Sequence, residues 1–142
     1  FYDAPIHGSK GSLWESIDKN KINHFGCTAA FLSTIKSTPL PSYKFNALQS
    51  ITTFDGPLSA EEFEWVYQQV KKDVWLIALG THPYLGSSLV GGCPTLPVFA
   101  GEAQCVLLGC KSTKYPEKNQ LIRQVWDNDL LAQPLPSLPY MK

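Results

Sequence analysis

The chain has 142 residues, 44% of them apolar and 17% charged, a composition that suits one globular domain with its own core and a surface poor in charge. Twelve basic side chains cancel twelve acidic ones, which removes any sequence-wide electrostatic case for binding nucleic acid or an anionic membrane. No apolar run approaches the ~18 residues of a transmembrane helix.

The chain opens on Phe1 and its one methionine is Met141, so a segment is expected upstream. Residues 1–26 are turn-rich, with Pro5, Gly8, Gly11 and Gly26, and read as an extended N-terminal arm. Leu13, Trp14 and Ile17 are its candidate docking residues. A globular domain is expected over 27–132. Within it, residues 27–35 alternate like a strand, and Pro39 and Pro41 break the pattern. Tyr43, Phe45, Leu48, Ile51 and Phe54 recur at helical spacing, and Asp55-Gly56-Pro57 would end that helix.

A second helix begins at Ser59-Ala60-Glu61-Glu62, the pattern of a capping box. Phe63, Val66, Tyr67 and Val70 would form its apolar stripe, with Lys71 and Lys72 at the negative end of its dipole. Residues 74–79 are apolar on both faces, as a central strand would be. A Gly/Ser/Pro segment with His82 follows, then the apolar loop 94–101, then a strand-like run over 103–110. Residues 121–131 suit a short helix carrying Ile122, Val125 and Trp126. Residues 133–142 form a Pro-rich tail that cannot be helical.

Little here announces catalysis. Glu61, Glu62 and Glu64 are accounted for by the helix cap. Gly91 and Gly92 are not followed by the Gly-Lys-Ser/Thr of a phosphate loop. Cys27 and His82 supply the residue types of a Cys/His hydrolase, but Cys27 precedes a strand rather than a helix start, and no third residue orients the pair. The four cysteines, Cys27, Cys93, Cys105 and Cys110, have no zinc-knuckle spacing and read as reduced thiols. In a secreted binding module or effector they would instead form two disulfides. No cofactor and no metal site is expected.

The loop is the anomaly. Connections run over the surface and are usually polar, yet this one carries Leu96, Pro97, Val98, Phe99 and Ala100. It must either fold back on its own core or present an apolar patch.

The order of elements resembles the matrix proteins of rhabdoviruses. The resemblance is carried by the strand over 29–35 with its Pro-containing turn, the pattern from Tyr43 to Asp55, and the second helix feeding 74–79. Residues 95–102 are similar to that family's self-association loop, and Gln124-Val125-Trp126-Asp127 to its late Trp-Asp pair. The resemblance implies a single α+β domain, a twisted and mainly antiparallel sheet packed by two or three helices. It also implies a non-enzymatic scaffold in the virion, under the envelope. Leu96, Pro97, Val98, Phe99 and Ala100 would join copies head to tail. Partners would be the viral nucleocapsid and the inner face of the membrane during assembly and budding, without sequence-specific nucleic-acid binding. The family's basic arm and Pro-Pro-x-Tyr motif are absent from the sequence.

Overall fold

The computed structural model describes residues 12–36, 43–82, 87–112 and 132–134. Helix α1 (Ser12–Lys19) has Glu15 in its first turn and Lys19 in its last, each matched to the helix dipole. Trp14 and Ile17, three residues apart, share its inner face and are 3% and 4% exposed. The Trp14 ring lies 5.9 Å from Phe25 and 5.4 Å from Phe45 between centroids, and Leu13 packs partly buried on the same cluster. Residues 12–19 are therefore a packed helix rather than part of an extended arm. The side chains expected to dock elsewhere are used in the chain's own core.

Strand β1 (His24–Thr28) leads directly into helix α2 (Ala29–Lys36). The run over 27–35 is thus split between a strand and a helix. Thr28 marks the division, its Oγ1 accepting the Phe31 N–H at 3.1 Å as a helix start requires. Beyond it Ala29, Leu32 and Ile35, spaced by three, turn inward. The helix expected over 43–54 is also replaced. Its second half is strand β2 (Ser50–Phe54), where Ile51, Thr52 and Thr53 favour extended backbone because their branched Cβ atoms crowd a helix. Phe45 has a positive φ of 45° and is fixed there by an N–H donated to Asp18 Oδ1 at 3.0 Å.

Helix α3 (Ala60–Trp65) begins as the sequence indicates. Glu62 N–H donates to Ser59 Oγ at 3.3 Å, and Ser59 N–H donates to Glu62 Oε2 at 2.7 Å. It passes into a π-helical turn over Val66–Val70. Lys71 then reaches back, its Nζ donating to the Leu48 carbonyl at 2.6 Å.

Strands β1, β2 and β3 (Trp75–Ala78) form a parallel sheet in that order, with Ile51 opposite both Phe25 and Leu76. Helices α2 and α3 supply the crossovers that parallel neighbours need. A second, antiparallel sheet contains β4 (Gly80–His82), β5 (Ser87–Gly91) and β6 (Cys105–Val106). A short antiparallel pair joins β7 (Cys110–Ser112) to β8 (Ala132–Pro134). The α+β class therefore stands, with antiparallel pairing confined to the second and third sheets and the main core built on the parallel one.

β3 is apolar on both faces although it lies at the end of its sheet. Leu76 and Ala78 enter the core. Trp75 and Ile77 are covered on the opposite face by Gly92, where a Cβ would come within 2.8 Å of the indole and 2.9 Å of Ile77 Cγ2. The run over 103–110 resolves into β6, a turn at Leu108-Gly109, and the start of β7. The helix expected over 121–131, the late Trp-Asp pair, and all of the tail but residues 133–134 lie outside the described residues.

Candidate functional site

In a parallel sheet the carboxyl ends of all strands lie on one edge. Ligands of open α/β sheets bind outside that edge, where the connections to the helices can be shaped without disturbing the core. Here the edge is formed by Thr28, the last residue of β1, by Phe54 at the end of β2 with Asp55-Gly56 beyond it, and by Leu79-Gly80-Thr81 after β3.

Asp55 and Gly56 both hold positive φ, 60° and 143°. Asp is among the few residues other than Gly that enter the left-handed region, and Gly does so without steric cost. A Cβ on Gly56 would stand 3.6 Å from Ala29 Cβ, so the loop turns tightly over the start of α2. Asp55 N–H donates to Thr81 Oγ1 at 3.4 Å, tying this loop to the segment that leaves β3. The Asp55 carboxylate and the Thr81 hydroxyl are exposed, one an acceptor and the other both donor and acceptor. Beneath them the edge is rigid: Thr53 is fully buried, and Leu79 N–H donates to its carbonyl at 2.8 Å.

α3 starts against the second turn and last residue of α2. Burial raises the Glu62 pKa, but hydrogen bonds from the Ser33 hydroxyl, the Ser59 N–H and the Ser59 hydroxyl, with the charge of Lys36, outweigh it and hold the carboxyl below its ordinary value. Lys36 also pairs with Glu61 at 3.7 Å. The start of α3 is thereby fixed against the middle and end of α2.

None of these edge residues was singled out from sequence as a site. Asp55-Gly56-Pro57 reads correctly as a turn, but its place at a strand end depends on pairing between distant segments. The residues that were singled out lie elsewhere. Leu96 and Phe99 are 45% and 60% exposed, Pro97 and Ala100 are exposed, and Val98 packs against the core. The apolar loop thus does both things at once, anchored through Val98 and open at Leu96 and Phe99.

Three carbonyls of its first half are gathered by one side chain. Gln104 Nε2 donates to the carbonyls of Leu96 at 2.7 Å and of Cys93 and Pro97 at 3.2 Å. Its Oε1 accepts from Trp75 Nε1 at 2.9 Å and Cys93 N–H at 3.1 Å. Cys27 is buried, and burial pushes its thiol up to about 12. It holds no thiolate at neutral pH, so the Cys/His hydrolase loses its nucleophile; the His82 side chain lies outside the described residues. Cys27, Cys93 and Cys105 are free thiols, which removes the two-disulfide framework.

Comparison with known proteins gives a consistent answer. The chain is 25% identical over 142 residues to acetoacetyl-CoA synthetase of Mus musculus, covering 97% of this chain and 21% of that protein. It is 28% identical over 144 residues to acetoacetyl-coenzyme A synthetase of Rhizobium meliloti, covering 99% and 22%. Among solved structures, acetoacetyl-CoA synthetase from Streptomyces lividans superposes with a TM-score of 0.65 at 22% identity, covering 78% of this chain and 18% of that one. The anthranilate CoA ligase AuaEII, in complex with anthranoyl-AMP, superposes with a TM-score of 0.68 at 10% identity, covering 79% and 21%. No protein-family profile matches the chain. The chain spans about a fifth of the length of the curated relatives it matches.

These matches overturn the resemblance to rhabdovirus matrix proteins. That resemblance rested on amphipathic and apolar spacing, which many folds share, and two of its elements do not exist in the structure. The non-enzymatic scaffold gives way to similarity with synthetases and ligases. The virion location, budding role, nucleocapsid and inner-membrane partners depended on the same resemblance and fall with it.

Proposed function

We propose that this chain is a segment of an acyl-CoA synthetase, contributing the carboxyl edge of its parallel sheet to the site where a carboxylic acid is carried as its adenylate. The observation that carries this reading is the alignment of acetoacetyl-CoA synthetases over nearly the whole chain. The chemistry at the edge is compatible with it. An acyl adenylate is a mixed anhydride whose acyl carbon is open to a thiol, so CoA displaces AMP and leaves a thioester. The enzyme must hold the nucleotide still and keep water away while this happens. Asp55 offers an acceptor for sugar hydroxyls, and Thr81 a donor for a phosphate oxygen or the acyl carbonyl. The relatives' names make a short keto acid such as acetoacetate the first substrate to test.

The test is titration of the chain with a non-hydrolysable acyl-sulfamoyl adenosine, followed by amide NMR. Binding should shift the amides of Asp55, Gly56 and Thr81, and Thr81→Val should weaken binding about tenfold, the worth of one hydrogen bond to a ligand. Saturation that leaves those three amides unmoved would overturn the placement of the site. Absence of binding in both the chain and a longer protein containing it would overturn the reading itself.

A further inference from the structure

The apolar loop begins and ends on a cysteine. In the β5–β6 pair Gly91 stands opposite Cys105, so the chain leaves the sheet through Gly92 to Cys93 and returns through Gln104 to Cys105. Cys105 Sγ lies 3.8 Å from the Gly91 carbonyl, and Cys93 Sγ lies 3.2 Å from Thr95 Oγ1. Cys93 follows Gly91 by two residues, which makes it the diagonal neighbour of Cys105 across the pair, and both residues are partly exposed. Gln104 fixes Cys93 through its N–H and its carbonyl, at 3.1 and 3.2 Å. Nothing in the adenylate reading uses this pair.

We propose that Cys93 and Cys105 form a dithiol modification site, which closes to a disulfide on reaction with a low-molecular-weight disulfide such as oxidised glutathione. Hydrogen bonds from the Thr95 hydroxyl and backbone, with smaller ones from the Leu96 backbone and last from Cys105, stabilise the Cys93 thiolate against its slight burial and hold the thiol below its ordinary value. Burial and the neighbouring Cys93 charge raise Cys105. Cys93 is therefore the attacking sulfur and Cys105 the resolving one. In the first step the Cys93 thiolate attacks one sulfur of the glutathione disulfide; a new S–S bond forms, the old one breaks, and one glutathione thiolate leaves. In the second, Cys105 gives its proton to solvent or to that thiolate and attacks the Cys93 sulfur, expelling the second glutathione. Both cysteines are oxidised by two electrons in all, and glutathione disulfide is reduced to two thiols. The product fastens the Leu96–Phe99 surface at its base.

The full chain is incubated with oxidised glutathione, quenched with acid, alkylated and mapped under non-reducing conditions. Titratable thiols in denaturant should fall from four to two per chain, with Cys93 linked to Cys105 and two hydrogen masses lost. Cys105→Ser should stop at a lasting glutathione adduct on Cys93, whereas Cys93→Ser should leave Cys105 unmodified. Circular dichroism confirms that each variant is folded before it is used. A glutathione adduct that persists on wild-type Cys93, a link that engages Cys27 or Cys110, or four unreacted thiols would each overturn the proposal.

Discussion

Glu62 joins three tasks at one carboxylate. It closes the capping box on Ser59, accepts from Ser33 on the neighbouring helix, and sits within the field of Lys36. Its folded-state pKa is depressed, while in the unfolded chain the carboxyl titrates at its ordinary value. The stability it supplies is therefore complete above that value and lost as pH falls through the lower folded one. Glu62→Gln is expected to cost about 1 kcal/mol at pH 7, the usual worth of a cap, and to flatten the acid decline in stability. Urea denaturation at a series of pH values from neutral to about 3 reads both effects. Parallel profiles for the variant and the parent would mean that the carboxylate is not engaged. The exposed Phe99 has its carbonyl occupied by the Glu102 N–H at 3.2 Å, so its ring stands open to solvent on a turn that the backbone itself closes.

At the scale of elements, Gln104 supplies the loop with what a strand partner would. Gln104→Glu retains the acceptor for the Trp75 indole and the Cys93 N–H, but loses the donor to three carbonyls and places a charge beside them. A loss of about 1–3 kcal/mol is expected, with cleavage in limited proteolysis moving to residues 94–101. An unchanged cleavage pattern would show that the loop is held by Val98 alone. This clasp was not legible in the sequence, because Gln104 reads there as one polar residue in an apolar run. What was legible was local chemistry: the Ser59–Glu62 cap, the turn at Asp55-Gly56-Pro57 and the strand over 74–79. Residues 27–35 and 43–54 were misread because short apolar patterns fit both periods. The overlooked signals were Thr28 as a cap and the β-branched run Ile51-Thr52-Thr53. The candidate site was hidden for a further reason. Asp55 and Thr81 meet only once β2 and β3 are paired in parallel, and no spacing within either segment records that.

On the scale of the whole molecule, Cys27 reports on the integrity of the fold. Burial raises its pKa from 9.0 to about 12, so the folded state keeps a proton that the unfolded chain releases. Stability is then unaffected below about pH 9 and declines as pH rises through the interval up to about 12, by at most about 1.4 kcal/mol per pH unit from this group. Cys27→Ala should reduce that alkaline slope, measured by urea denaturation between pH 8 and about 11. An identical slope would assign the decline to other groups. Only Leu79 separates β3 from β4, so a single length of backbone serves the parallel sheet and then the antiparallel one. Gly91 and Gly92 seat the second sheet against the same length. Mechanically this is a shared beam. Tension applied along residues 75–82 loads both sheets together, and the molecule should yield to a pulling force in one rupture instead of two.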